Sequence, residues 1–276
     1  MIYLIIIGIF IVLIFIRKLF KIPRLGNMVL VTGGIKTGKS MLSVHLVNKL
    51  YKKQRFKWKI KCFFLKIFKF LKIKKFIDKP YPEEPLIYSN IPLNIPFVPL
   101  TEKIIQREER LNYGSVVYVC EASLVADSMT FKNDLLNEQM LLFNKLFAHE
   151  TKGGYIIYDT QSISDNHYAV KRCLNSYLYI HHTIKIPFFC IMYVRELKYD
   201  EDGQSINNFD TDVEEKLKRI IVSKKVWKMY DCYCYSILTD NLPIDNQLTT
   251  ADNLKAEKII SFKKYKSLLK GKNDEN

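Results

Sequence analysis

The chain is 276 residues long and 48% hydrophobic, with 43 Lys/Arg against 28 Asp/Glu and a formal charge of +15. That length supports one well-buried core with small additions, and the apolar share excludes global disorder. The excess charge points to an anionic partner, nucleic acid or a phospholipid surface, and it is local: residues 51–79 hold twelve Lys/Arg and one Asp, +11 of the +15.

Residues 1–16, MIYLIIIGIFIVLIFI, carry no charge and include thirteen Ile, Leu, Val or Phe. Their summed insertion free energy is about −4 to −8 kcal/mol. Sixteen helical residues reach about 24 Å against a hydrocarbon core of about 30 Å. Including Leu19 and Phe20, with Arg17 and Lys18 snorkelling, closes that gap. The competing readings are a cleaved signal peptide and a buried strand. A signal peptide places its basic residues before the apolar run and small residues after it. Here Arg17, Lys18, Lys21 and Arg24 follow the run. The pattern predicts a single-pass transmembrane anchor over 1–20, N-terminus outside and the remainder cytoplasmic.

Met28-Val29-Leu30-Val31 reads as a short buried strand. Gly33-Gly34-Ile35-Lys36-Thr37-Gly38-Lys39-Ser40 follows and fits G-x4-G-K-S, the phosphate-binding loop. From Ser40 to Leu50, apolar residues at Leu42, Leu46, Val47 and Leu50 have helical spacing. The glycines let backbone N–H groups turn toward phosphate oxygens, Lys39 neutralises the β/γ charge, and the Ser40 hydroxyl completes a magnesium shell. The predicted nucleotide contacts run from Gly33 through Gly34, Ile35, Lys36, Thr37, Gly38, Lys39 and Ser40 to Met41. The expected ligands are ATP and Mg²⁺.

Between this helix and the next strand lies the basic insert 51–80. Within it, KWKIKCFFLKIFKFLKIKKF (57–76) places Ile60, Phe63, Phe64, Ile67, Phe68 and Leu71 at helical spacing. Lys61, Lys66, Lys69 and Lys72 lie elsewhere on that helix. Such a helix can lie in a membrane interface, line a path for single-stranded DNA, or pack on the domain with its lysines solvated. Pro80, Pro82 and Pro85 end it and free a strand to start at Leu86.

Gly114 to Glu121, GSVVYVCE, has the shape of the strand that carries the acidic pair of such sites. The usual pair is Asp-Glu, with Asp on the metal side and Glu activating the attacking water. Here Cys120 stands at the Asp position and Glu121 is the candidate base. A thiol is a poor magnesium ligand, since that ion prefers hard oxygen. Three options stay open: Ser40 and Glu121 alone hold the metal, another carboxylate such as Asp127 or Asp159 helps, or hydrolysis is slow.

Asp134 to Glu150 shows one apolar helical face through Leu135, Leu136, Met140, Phe143, Leu146 and Phe147, broken by Gly153-Gly154. Tyr155 to Gln161 then reads as a strand whose polar end faces the ligand crevice. Thr160 or Gln161 is a candidate γ-phosphate sensor, or the pair simply caps a loop. Tyr177–Ile184 and Phe188–Leu197 read as further strands. Asp200-Glu201-Asp202-Gly203 fits a turn better than a calcium loop, whose other ligands are missing. Arg172 and Arg195 are candidate trans-acting fingers in an oligomer, or plain surface charges. The six cysteines, with Cys232-x-Cys234 as the sole close pair, read as small hydrophobes with no disulfide required. Residues 246–276 read as a polar tail.

The order of these motifs resembles the N-terminal ATPase domain of the zonular occludens toxin (Zot) family, which includes the filamentous-phage assembly ATPases. The matching segments are VLVTGGIKTGKS (29–40), Ile87-Tyr88-Ser89-Asn90-Ile91-Pro92, GSVVYVCEAS (114–123), His149 to Gly154 leading into Ile156–Gln161, and a late strand at Val226–Asp231. The resemblance implies that Gly33, Gly38, Lys39 and Ser40 bind nucleotide, Glu121 is the catalytic carboxylate and Gln161 the strand-end sensor. It also implies an ATP-driven role in phage assembly or export at the host inner membrane. Cys120 departs from the family's pattern. So does the span, which precedes the ATPase domain instead of following it, with about forty mostly polar residues after the late strand.

The fold expected is α/β: a P-loop NTPase with a mainly parallel sheet, an N-terminal transmembrane helix and β-hairpin additions after the core. The domains expected are the anchor 1–20, an ATPase domain over 27–245 and the tail 246–276. Lys39, Glu121 and Gln161 are the candidate catalytic residues, with Ser40 on the metal and Glu121 as a second candidate ligand. The function expected is a homo-oligomeric, membrane-anchored ATP motor for phage assembly, export or DNA extrusion, with phage coat or assembly proteins as partners. The rivals are a nucleotide-binding scaffold with little hydrolysis, favoured by Cys120, and a small-molecule kinase, for which no phosphoacceptor pocket is visible.

Overall fold

The computed structural model describes residues 25–125, 134–162, 168–197 and 217–230. The predicted anchor 1–20, Asp127, the Asp200–Gly203 turn, Cys232-x-Cys234 and the tail 246–276 lie outside those residues. Among the described residues no helix is long and apolar enough to cross a membrane.

The chain begins with β1 (Met28–Gly33), which feeds the long helix α1 (Lys39–Phe70). The short strands β2 (Ile87–Ser89) and β3 (Val98–Pro99) follow, then β4 (Val116–Val119). Helix α2 (Asp134–Glu150) leads into β5 (Tyr155–Thr160). The last three strands are β6 (Ser176–Lys185), β7 (Phe189–Leu197) and β8 (Lys218–Ser223). They form one sheet in the order β3-β2-β4-β5-β1-β6-β7-β8. From β3 to β6 all neighbours are parallel, and β7 and β8 add antiparallel pairs. The mainly parallel sheet and the late hairpin strands match the expected architecture.

Strands buried on both faces need apolar residues on both, which is why β1 reads as an unbroken run. Val29 and Val31 pack with Leu42, Leu46 and Val47 of α1 on one face. Met28 and Leu30 pack with Met140, Phe143 and Phe147 of α2 on the other. The sheet is thus sandwiched between helices, and the ends of its parallel strands are left to carry polar residues.

Two expectations are corrected. The basic stretch 57–76 is not a separate helix. It continues α1 to Phe70, and only Lys74–Ile77 forms a second short helix. No Gly or Pro occurs between Lys39 and Lys79 to stop it. The predicted late strand at 226–231 is instead a 3₁₀ helix over Lys224–Met229. The strand is β8, just before it. The Ser223 side chain accepts the Lys225 N–H and turns the chain out of the sheet.

His45 lies on α1, and burial, aided by the charges of Lys49 and Lys52, lowers its pKa to about 4. The folded state therefore disfavours the imidazolium. Stability is complete above pH 6.5 and falls as the pH drops from there toward 4. The expected loss is about 2 kcal/mol by pH 5 and about 3 kcal/mol in full. Urea unfolding at pH 7.5 and pH 5 measures it, and His45→Gln should flatten the difference. An unchanged pH response in that variant assigns the acid sensitivity elsewhere.

Candidate nucleotide-binding site

The loop between β1 and α1 is shaped by backbone conformation. Gly38 lies at φ 94°, in the left-handed region, immediately before the first residue of α1. A Cβ there would come within 2.7 Å of the Met192 methyl, the flexible end of a side chain that can shift, so it is the left-handed backbone that calls for glycine. Lys36 is also left-handed, at φ 62°. Helix α1 starts without a side-chain cap and without an acidic residue in its first turn. Its first N–H groups and the positive end of its dipole are therefore left for an anion. Lys39 is buried, and its ammonium donates to the carbonyls of Gly33 at 3.1 Å and Gly34 at 3.2 Å. Thr37 Oγ1 also donates to Gly34 O, at 2.8 Å.

The opposite wall comes from the ends of β4 and β5. Strand β5 lies between β1 and β4, so the candidate base is one strand removed from the loop. Glu121, second after the end of β4, has φ 51°. That conformation is unusual for a non-glycine residue and is held by a hydrogen bond from its N–H to Asp159 Oδ1 at 2.8 Å. Asn90 holds the residue before it. Its amide accepts the Cys120 N–H at 2.7 Å and donates to the Cys120 carbonyl at 2.9 Å. This gives the Ser-Asn-Ile-Pro element its role: the end of β4 is clamped from β2.

These parts face a cleft of about 410 Å³. The loop side presents Ile35, Lys36, Gly38, Lys39, Ser40 and Met41, and the strand ends present Glu121 and Gln161. This is a P-loop NTPase fold.

Among the residues named from sequence, Gly33, Gly34 and Thr37 shape the loop without lining the cleft. Thr160 is fully buried and its hydroxyl donates to the Ser162 carbonyl, so Gln161 is the one of that pair that reaches the opening. Neither Arg172 nor Arg195 lines the cleft. Sequence reasoning missed its outer wall, formed by Thr183, Lys185, Trp227 and Tyr230. Thr183 donates to the Thr37 carbonyl at 2.7 Å, tying β6 to the P-loop. The Trp227 indole N–H points at the Met41 sulfur. Tyr230 bridges to Leu93, and Asn94 binds the carbonyls of Met229 and Lys228. Nothing local in 224–230 signals this placement.

Burial raises the Glu121 pKa, the Asp159 carboxylate adds to the rise, and the Lys39 charge opposes it. Burial likewise raises Asp159, opposed by hydrogen bonds from Tyr118, the Glu121 N–H, Cys120 and Ser40. The Cys120 thiol is pushed well up by burial and then by Asp159, so it stays neutral. A neutral thiol does not ligate magnesium. Ser40 and Glu121 line the cleft with hard oxygens in its place, and that donor chemistry fits the ion. Among the described residues no three His, Cys, Asp or Glu side chains are placed to hold a metal by themselves. Magnesium there would be shared with nucleotide phosphates, which is its common mode.

No family model matches the sequence. No curated protein matches it either. Among solved structures, the chain is similar to the N-terminal domain of zonular occludens toxin from Neisseria meningitidis, at 14% identity and TM-score 0.44, covering 75% of this chain and 100% of that one. It is also similar to a KaiC-like protein from Pyrococcus horikoshii, at 12% identity and TM-score 0.32 over 75% of this chain and 94% of the other. A third is the genome packaging NTPase of Sulfolobus turreted icosahedral virus 2, in complex with ATP-γS, at 12% identity and TM-score 0.32 over 70% and 96%.

Proposed function

We propose that this chain binds and hydrolyses ATP at the P-loop cleft and works as a membrane-tethered, oligomeric motor in filamentous-phage assembly or DNA extrusion. One observation carries the chemical part. Lys39 and Ser40, from the start of α1, and Glu121, from beyond the end of β4, face the same cleft. Lys39 and the N-terminal N–H groups of α1 grip the triphosphate. Magnesium neutralises β/γ-oxygen charge when bound with it. Glu121, its pKa raised by burial, takes the proton of the attacking water. The test is Mg²⁺-dependent phosphate release from ATP with no acceptor added. Release that needs a small-molecule acceptor favours a kinase. Tight ATP binding without release favours the nucleotide-binding scaffold, the reading supported by the neutral Cys120 thiol.

The membrane part is supported by the apolar run 1–16 and by the far half of α1. Beyond Gln54 this helix buries Leu65 alone. Phe56, Ile60, Phe63, Phe64 and Phe70 are exposed, with Phe63 at 61% and Phe70 at 86%. Their spacing puts them on one stripe, flanked by exposed Lys57, Lys59, Lys61 and Lys66. The back of the helix is held by the returning chain. Trp58 donates to the Pro82 carbonyl at 2.8 Å, and Phe68 packs on Phe76 at 4.8 Å between centroids. An apolar stripe edged by lysines suits an anionic lipid surface better than a DNA backbone, which has no use for the phenylalanines. Protein lacking residues 1–20 should sediment with phosphatidylserine-containing vesicles. Serine at Phe63, Phe64 and Phe70 together should weaken that at least about tenfold, since each buried phenylalanine contributes about 1.5–3 kcal/mol. Retained vesicle binding in the triple variant removes this surface from the proposal, and single-stranded DNA binding that the lysines alone support replaces it.

A further inference from the structure

The acidic pair expected at the end of β4 lacks its metal-side member, and the register of the sheet locates a replacement. Strand β4 pairs with β5 so that Val119 lies beside Tyr158. The next residues along, Cys120 and Asp159, are therefore lateral neighbours. On its other side β5 pairs with β1, with Asp159 beside Val31, two residues before the loop. Side chains two apart on a strand share a face. Asp159 thus shares its face with Ile157, as Cys120 does with Tyr118, and these neighbours pack in the cluster under α1. The carboxylate has moved one strand toward the P-loop and kept its face.

Its hydrogen bonds fix where it points. Asp159 is 1% exposed. Its Oδ2 accepts from the Tyr118 hydroxyl at 2.7 Å and its Oδ1 from the Glu121 N–H at 2.8 Å. Ser40 lines the cleft on the loop side, and its hydroxyl and the Cys120 thiol are among the groups whose hydrogen bonding opposes the rise of the Asp159 pKa. A hydroxyl has one proton and two lone pairs. When Ser40 gives its proton to Asp159, the oxygen is left with its lone pairs turned away from the carboxylate, toward the cleft.

We propose that Asp159 is the positioning residue for magnesium in this site: from β5, it orients the Ser40 hydroxyl as a metal ligand and so replaces the carboxylate absent at Cys120. The inference rests on the nucleotide-binding reading above. It assigns separate tasks to the two acids: Asp159 sets the metal side through Ser40, and Glu121 serves the water. The bland alternative gives Asp159 a structural task alone, holding the left-handed Glu121 backbone.

The experiment uses the full chain in detergent and measures ATPγS affinity by calorimetry with Mg²⁺ and with EDTA. Wild type should bind more tightly with Mg²⁺. Asp159→Asn is nearly isosteric, and should lower that enhancement about 10- to 100-fold, the usual cost of removing a group that orients a metal ligand. The loss should fall on the magnesium arm, and the swapped pair Cys120→Asp with Asp159→Asn should recover at least tenfold of it. Mn²⁺ in place of Mg²⁺ gives a second readout, by its spin-resonance signal with bound nucleotide. A full Mg²⁺ enhancement in Asp159→Asn overturns the inference and leaves nucleotide binding intact. A swapped pair that folds without regaining it does the same. If Asp159→Asn does not fold, the swapped pair alone decides. Wild type that binds no ATPγS in either buffer overturns the nucleotide reading itself, and this inference with it.

Discussion

Alanine at Lys39 is expected to lower ATP turnover by about 10²–10³-fold and to weaken ATP binding about 10- to 100-fold. The ammonium sits at the mouth of the loop on the carbonyls of Gly33 and Gly34, a short swing from where β- and γ-phosphates would lie over the α1 N-terminus. A charged hydrogen bond to a phosphate contributes about 1.5–3 kcal/mol to binding. A donor that follows charge into the transition state costs about 10²–10³ in rate when removed. The fold should survive, because the Lys39 ammonium bonds to two carbonyls of the loop itself. Initial-rate phosphate release and titration with a fluorescent ATP analogue measure the two effects. Turnover within a factor of a few of wild type would place the hydrolytic site elsewhere on the chain.

Glutamine at Glu121 should separate binding from chemistry. Losing a positioned base typically costs 10²–10⁴-fold in rate, and the substitution keeps the side chain's shape. The bond that fixes this residue's backbone runs from its N–H to Asp159, so it does not depend on the carboxylate. ATP affinity is expected to hold or to rise, since one negative charge beside the triphosphate is gone. Single-turnover hydrolysis with pre-bound ATP is the measurement. Equal rates in Glu121→Gln and wild type would make this a carboxylate at a strand end and nothing more. A wild-type rate already as low as that of the variant would support the scaffold reading.

The two variants probe features that differ in how they could be read. The P-loop is a local object: its glycines, Lys39 and Ser40 are consecutive, and backbone geometry turns that spacing into a cradle. The same holds for the α1 stripe, because helical periodicity alone lines up Ile60, Phe63, Phe64 and Ile67. The continuity of α1 was not read from the sequence, although no Gly or Pro interrupts the chain from Lys39 to Lys79. By contrast, the late strand that the resemblance implied from Val226 onward is replaced by a 3₁₀ helix over Lys224–Met229. Its state depends on the Ser223 turn and on Asn94 catching its carbonyls from a distant part of the chain. Trp227 and Tyr230 reach the cleft for the same reason.

The carboxylates show the division most clearly. From the residues in order, Asp127 and Asp159 were equal candidates to stand in for the acid missing at Cys120, and nothing in spacing ranked them. Sequence alone determined a phosphate loop, a candidate base at Glu121 and an apolar, lysine-edged helix, because each depends on residues within a few turns or one strand of each other. Only the tertiary structure decided that Asp159 lies beside Cys120 and holds the Glu121 backbone. That depends on which strands become neighbours and in what register, and those are set by burying both faces of the sheet at once.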